Sequence, residues 1–312
     1  MVHRTQSQKV NTYHNIFLSI VQEHRKSIAS IAKSIGHTGR GKRRATVSKY
    51  VHEMYDEKIS FGPNLVLKTH ENPLLKAYLC STKNKSQLGS IFEKLKNDQE
   101  IIYVLLGSGN YDFFLTSMSP TLTLESYDLI IHEESILYTP LYTHPHGWNL
   151  SFLEASRNVL KTQFKKGLLD RKLNGILDWS NLDMLIFESM RENARKKFTE
   201  TAEIADVASN TIKNHYYKHV LPNCNIAHYF FPKGYDNYMK NQIRIYSKYE
   251  KSLVESFKRL PCTTYVYPFE KGILITLFHE NINIVMTLMG KMEERGIIEY
   301  YELSTPLWYT HV

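Results

Sequence analysis

The stretch Ala202-Glu203-Ile204-Ala205-Asp206-Val207-Ala208-Ser209-Asn210-Thr211-Ile212 decides the reading of this chain. A short helix runs through Glu200 to Ala205, and another from about Ser209 to Val220, where Pro222 stops it. Asp206 stands where the chain must turn tightly between them, and Asp tolerates such backbone angles better than most residues. Ile212, Tyr216 and Val220 line the inner face of the second helix. Asn210, Asn214, Tyr217 and Lys218 fall on the opposite face. Amides, a hydroxyl and cations are what a helix entering the DNA major groove needs, for base edges and for phosphates.

Working outward, Leu182, Leu185, Ile186 and Met190 fall at helical spacing, with Asp178 or Ser180 placed to cap that helix. The first sixty residues repeat the arrangement. Ile16 and Ile20, then Ile28, Ile31 and Ile35, give two apolar-faced helices, and Gly36 marks a turn. A basic, glycine-rich stretch, His37 to Arg44, follows. Val47, Tyr50, Val51 and Met54 then resume helical spacing, with Ser48, Lys49 and His52 outward. Met1 to Lys9 reads as a polar arm without the apolar stretch of a signal peptide.

Strand-helix-strand patterning follows each helical unit. In the first, Leu74–Cys80, Ile101–Leu106, Phe113–Thr116 and Ile136–Tyr142 read as strands, with helices at Leu88–Leu95 and near Glu125–Glu134. In the second, strands at Ile243–Tyr246, Thr264–Pro268, Ile273–Phe278 and Ile297–Leu303 alternate with helices around Leu253–Leu260 and Ile282–Met292. Both show the split βαβ order of ferredoxin-like domains. Such a sheet has helices on one face only, so two of them are expected to pair through the other. Residues 150–175 read as a connecting helix. The expected fold is α+β: two winged-helix or helix-turn-helix domains alternating with two ferredoxin-like βαββαβ domains. The expected boundaries are 1–62, 63–147, a linker at 148–177, 178–235 and 236–312.

Charge follows the same division. The net charge of +8 resolves into +7 over residues 1–60, −3 over 61–150, +4 over 151–235 and zero over 236–312. Two basic modules that meet nucleic acid, alternating with two that do not, account for this pattern. The 42% hydrophobic content supplies cores, and no run of eighteen apolar residues is present to span a bilayer. Three scattered cysteines, Cys80, Cys224 and Cys262, match no metal or redox spacing and suit buried thiols in a reducing cytoplasm. The 21 tyrosines are expected half-buried in strands and interfaces. His144-Pro145-His146-Gly147-Trp148 matches no standard metal site.

With these residues in place, the chain resembles the Lrp/AsnC family of prokaryotic, especially archaeal, regulators. The resemblance is carried by Leu182-Asp183, by Arg191-Glu192-Asn193-Ala194-Arg195, by the nine-residue step from Ala202 to Thr211, and by Gly109-Asn110-Tyr111-Asp112-Phe113. It covers nearly the whole chain as a tandem, where family members usually carry one pair of domains. It implies a cytoplasmic, homodimeric or higher-oligomeric regulator of transcription. The partner it implies is double-stranded DNA, modulated by a small-molecule effector such as an amino acid. The last domain departs from the family pattern, with Glu270-Lys271-Gly272-Ile273 in place of the Gly-x-Tyr-Asp turn.

The expected DNA contacts are Arg40, Lys42, Arg43, Arg44, Thr46, Ser48 and Lys49 in the first unit. In the second they are Ser209, Asn210, Thr211, Lys213, Asn214 and Lys218. The expected effector residues are Gly107, Gly109, Asn110 and Asp112. No catalytic residue, cofactor, metal or membrane partner is expected, since phosphate-loop, nucleophile-elbow and zinc-protease motifs are lacking. The chain is therefore read as a non-enzyme. Two alternatives stand beside this reading. Haem-pathway decarboxylases, which act on tetrapyrroles, resemble the same family in fold; a nucleic-acid-binding scaffold is the other.

Overall fold

The computed structural model describes residues 2–37, 42–119 and 122–311. The protein is α+β, with ten α-helices among the described residues and a large antiparallel sheet. The first helical unit comprises α1 (Val2–Gln22), α2 (Ile28–Ser34) and α3 (Lys42–Asp56). Of the residues expected to be a polar arm, Val2 to Lys9 belong to α1. Tyr13, Ile16, Phe17, Ile20, Ile31, Val47, Val51 and Met54 form its core. Strand β1 (Asn64–Leu67) follows.

Next come β2 (Lys76–Thr82), α4 (Leu88–Lys96), β3 (Ile101–Gly109), β4 (Phe113–Ser117), β5 (Leu129–Ile136) and β6 (Leu141–Tyr142). The helix expected near Glu125–Glu134 is absent. A single 3-10 turn spans Leu124–Tyr127, and Asp128 enters the left-handed region at φ 56°. The β-branched Ile130 and Ile131 then pair with β2 as strand, where such side chains fit better than in a helix. The expected helix at 150–175 is also shorter. Helix α5 covers Phe152–Leu160 under a Ser151/Glu154 capping box. Beyond it the chain is extended, tied to its neighbours by Gly167 N donating to Lys248 O and by the Arg171 side chain.

The second helical unit comprises α6 (Asn181–Met190), α7 (Phe198–Ala205) and α8 (Ser209–His215). Ser180 caps α6 through a capping box with Asp183. Asp206 holds φ 50°, and Gly36 holds φ 75° at the matching turn of the first unit. The helix expected to reach Val220 changes pitch after His215, with a π turn at Tyr216–Val220. Strand β7 (Cys224–Ala227) pairs antiparallel with β1. Both strands pack in the core of the second unit, through Leu65 and Cys224, while Phe230, just after β7, packs in that of the first.

The rest is β8 (Met239–Tyr246), α9 (Glu250–Phe257), β9 (Tyr265–Pro268), β10 (Ile273–His279), α10 (Ile282–Glu294) and β11 (Tyr300–His311). The large sheet has the order β5-β2-β4-β3-β11-β8-β10-β9-β6. Its two halves repeat one strand order, fourth-first-third-second. The last strand, expected over Ile297–Leu303, is longer and shared. Tyr300–Ser304 pairs with β8, and Ser304–His311 with β3, with an irregularity between Pro306 and Trp308. At the other end β6 pairs with β9.

Helices cover the outer face of each half, over separate cores. Between the halves, Ala77, Leu79, Leu105, Tyr111, Phe114, Leu137, Phe269 and Leu274 form a third core. The apolar inner faces thus pack on each other within one chain.

Candidate active site

One end of the inter-sheet core continues into a cluster of half-buried tyrosines. Period-2 alternation on β9 puts Tyr265 and Tyr267 on one face while Val266 is buried on the other. Tyr267 faces Phe114 of the opposite half at 6.4 Å between ring centroids, and Phe114 lies 5.8 Å from Tyr103 on β3. Tyr142 on β6, Tyr229 and Tyr265 are mutually edge-on or tilted at 5.1–5.3 Å. Tyr235, in the 3-10 turn before β8, and Tyr265 both pack on Phe278. Tyr309, near the end of β11, completes the group.

Lys240 on β8 sits among these rings, its Nζ 3.8 Å from the Tyr235 centroid and 5.1 Å from that of Tyr309. It donates to Tyr309 Oη at 3.3 Å, and Tyr235 Oη lies 3.2 Å from the same oxygen. Burial pushes up the phenols of Tyr103, Tyr142, Tyr229, Tyr235, Tyr265 and Tyr267. Tyr309 departs from this pattern. Burial raises it too, but the hydrogen bonds from Tyr235 and Lys240 outweigh that, and its phenol falls below the ordinary value. The cluster offers flat aromatic faces, several O–H donors, one ammonium and one acidified phenol.

A second concentration of rings joins the first helical unit to the sheet. His14 Nε2 donates to Pro145 O at 2.8 Å, and the ring stacks on Trp148 at 5.3 Å. His228 is buried, with Nε2 3.0 Å from Ser60 Oγ and Nδ1 without a hydrogen-bond partner among the described residues. His144 lies against Phe17. Burial lowers His14 to about 4 and His228 to about 3. Among the described residues no group of three or more His, Cys, Asp or Glu is placed to hold a metal.

The residues singled out from the sequence lie elsewhere. Arg40 falls outside the described residues, and of Lys42 and Arg43 only the backbone, in α3, is described. Arg44 and Lys49 are exposed on α3, with Thr46 and Ser48 half-buried; Lys49 pairs with Glu53 at 3.4 Å. Asn210, Lys213, Asn214 and Lys218 are exposed, while Ser209 and Thr211 are half-buried.

Gly107, Gly109, Asn110 and Asp112 sit at the seam under β11. A Cβ on Gly107 would lie 2.3 Å from Ser304 Oγ, and one on Gly109 2.1 Å from Leu303 O. Asn110 N donates to Leu303 O at 3.0 Å, and its Oδ1 accepts from Leu303 N at 2.9 Å. Buried Asp112 accepts from Thr82 N at 2.9 Å and pairs with Lys85. These four engage the chain's own backbone.

Sequence reasoning did not single out the tyrosine cluster. Its one signal was the high tyrosine content, and its members come from segments as far apart as Tyr103 and Tyr309.

No family model matches the chain, and no curated protein matches it. Among solved structures it is similar to the siroheme decarboxylase NirDL. The identity is 9%, the match covers 95% of this chain and 91% of that one, and the TM-score is 0.53. The same enzyme in co-complex with an iron-uroporphyrin III analogue gives 9% identity, 96% and 92% coverage and a TM-score of 0.52. At this identity the likeness concerns the fold alone. One expectation is corrected by it. The chain was read as a non-enzyme for want of local motifs, yet the structures coextensive with it are those of an enzyme. No helix among the described residues is long and apolar enough to cross a membrane.

Proposed function

We propose that this chain is an enzyme of the tetrapyrrole decarboxylase type, with the tyrosine cluster as its substrate-binding surface. The observation that carries the reading is the cluster itself, continuous through Tyr103 and Tyr267 with the core between two like half-sheets. A tetrapyrrole is broad, flat and apolar, with carboxylates at its rim. The flat faces of the phenol rings suit its face, and phenol O–H groups with the Lys240 ammonium suit its rim. The coextensive match to a siroheme decarboxylase supports the same class. The basic charge that lies in the helical units does not bear on this surface, because the cluster relies on neutral donors and one lysine.

Adding iron-uroporphyrin III to the purified chain tests the reading. A saturable shift of the tetrapyrrole absorbance band is expected, followed by carbon dioxide release and a product lighter by that mass. Tyr265→Ala and Tyr267→Ala should each weaken binding by roughly tenfold, the loss of about 1.4 kcal/mol of stacking. Absence of any spectral shift at millimolar ligand would overturn it.

A second reading, binding of double-stranded DNA, is favoured by the exposed face of α8 and its continuation. The side chains of Asn210, Lys213, Asn214 and Lys218 point outward there without a hydrogen-bond or ion-pair partner among the described residues. In this reading two helix-turn-helix units alternate with two ferredoxin-like halves. Arg44 and Lys49 then hold phosphates, and Asn214 reads a base. Asn214→Ala should cost about 1–3 kcal/mol on a specific site and little on random DNA. Equal affinity of the native chain for RNA and duplex DNA in a gel shift would count against it.

A further inference from the structure

We propose that Tyr309 is the proton donor of the tyrosine cluster, delivering its phenolic proton to the carbon from which a carboxylate has left, with Lys240 as its positioning residue. This inference rests on the decarboxylase reading above. Three observations select Tyr309. First, its ring is 47% exposed, whereas the other six phenols are half-buried in ring-to-ring contacts, so a substrate can reach its hydroxyl. Second, its oxygen faces two donors, Lys240 Nζ at 3.3 Å and Tyr235 Oη at 3.2 Å. Both can donate to the phenolate left after proton transfer. Third, it sits at the end of β11, the strand that joins the two half-sheets, among the rings proposed to hold the macrocycle.

The step balances without a co-reactant. Loss of carbon dioxide from a carboxymethyl side chain breaks the bond between the methylene carbon and the carboxyl carbon. The electron pair stays on the methylene carbon, spread into the adjoining pyrrole ring. The Tyr309 O–H bond breaks toward that carbon and leaves a methyl group and a phenolate. Water returns the proton to the phenolate. One proton is consumed and nothing is oxidised or reduced.

The groups facing Tyr309 decide its acidity. Lys240 from β8 and Tyr235 from the preceding turn lower it. Asp236 opposes them, and it is held by Lys58 at 2.5 Å. Tyr103 of β3 and Tyr265 of β9 stay protonated and neutral across the working range. An acid strengthened while its neighbours are weakened transfers its proton more readily near neutral pH.

The test uses the full-length chain with Tyr309→Phe, Lys240→Met and Lys240→Arg. In the ligand-free protein, an ultraviolet titration of phenolate absorbance should show one tyrosine ionising ahead of the rest. That early step should vanish in Tyr309→Phe, move to higher pH in Lys240→Met, and return toward the native position in Lys240→Arg. With iron-uroporphyrin III, Tyr309→Phe should lower kcat by about 100- to 1,000-fold at unchanged KM, the range of a lost general acid. The active form is the phenol, so activity falls as pH rises through its pKa. Lys240→Met should therefore move that alkaline limb upward while lowering kcat. An active native chain with an equally active Tyr309→Phe variant overturns the inference and leaves the decarboxylase reading standing. A native chain that binds no tetrapyrrole overturns that reading and this role with it, and the titration then reports separately whether Lys240 acidifies Tyr309.

Discussion

Arg25 and Arg195 each span the two carbonyls that flank the other. Arg25 lies in the loop between α1 and α2 and donates to Ala194 O and, at 2.9 Å, to Lys196 O. Arg195 lies in the loop between α6 and α7 and donates to His24 O at 2.6 Å and Lys26 O at 2.9 Å. The exchange relates the two helical units by a local pseudo-two-fold, the same relation seen where β1 pairs antiparallel with β7. A planar guanidinium fork can reach two carbonyls two positions apart, which an ammonium cannot do in one geometry.

The clasp should be unequal in energy. Arg25 also lies over Phe198 at 4.0 Å and Tyr216 at 5.5 Å, contacts for which Arg195 has no counterpart of similar geometry. Arg25→Ala is expected to cost about 2–4 kcal/mol and Arg195→Ala about 1.5–3 kcal/mol. The double variant should cost less than the two together, because both bonds fix one junction. Urea denaturation of the four proteins measures this. Losses below about 0.5 kcal/mol for both single variants would show that the clasp does not hold the units.

Arg244 is the largest fully buried side chain, and it binds the halves together. Its Nε and Nη2 meet the Glu133 carboxylate at 2.7 and 2.6 Å, and it also donates to Lys271 O. The rings of Tyr246 and Phe269 lie 4.3 and 4.6 Å from it. Glu133→Ala strands the buried cation and should cost about 3–5 kcal/mol. Replacing both, Arg244→Met with Glu133→Leu, should cost less than Glu133→Ala alone. A double variant less stable than the single one would refute this account.

Two glycines should respond oppositely to alanine. Gly109 has φ 151°, and its Cβ would meet Leu303 O at 2.1 Å and Ser304 Cα at 2.9 Å, all backbone. Gly109→Ala must push β11 from β3, and a loss above about 3 kcal/mol is expected. Gly290 lies inside α10 with nothing within 4 Å of an added Cβ. Gly290→Ala should stabilise by about 0.5–1 kcal/mol. Thermal midpoints decide both signs.

Stability should fall on the acid side because of two buried imidazoles. Burial lowers His14 to about 4 and His228 to about 3, from 6.5. The unfolded chain therefore takes up these protons first. The contribution is complete above about pH 6.5 and is lost as pH falls toward each folded value, at up to ~1.4 kcal/mol per pH unit per ring. The midpoint temperature should drop from about pH 7 to about pH 4.5, and His228→Gln should shallow that slope. A slope unchanged in this variant would mean His228 takes up no proton on unfolding.

Local chemistry was legible from the residues. The turn at Asp206, the cap at Ser180 and the alternation of Tyr265, Val266 and Tyr267 each depend on backbone angles or a period set within a few positions. Ile130 and Ile131 show the limit. Their local pattern fits a helix, yet pairing with β2 makes them strand, because cross-strand packing outweighs a propensity difference of a few tenths of a kcal/mol. The stretch after Leu160 likewise gives up helix for contacts made by Arg171 with Glu250, 79 positions away.

By itself, then, the sequence determined the helical units, most of the strands and the repeated order of the two halves. All of these follow from hydrophobic period and turn chemistry, which act over short spans. Only the tertiary structure decided that β11 would leave β8 at Ser304 and join β3, and so carry Tyr309 to within hydrogen-bond reach of Lys240. Those two residues stand 69 positions apart. Their meeting depends on the packing of two apolar sheet faces, a long-range burial term that no local pattern encodes.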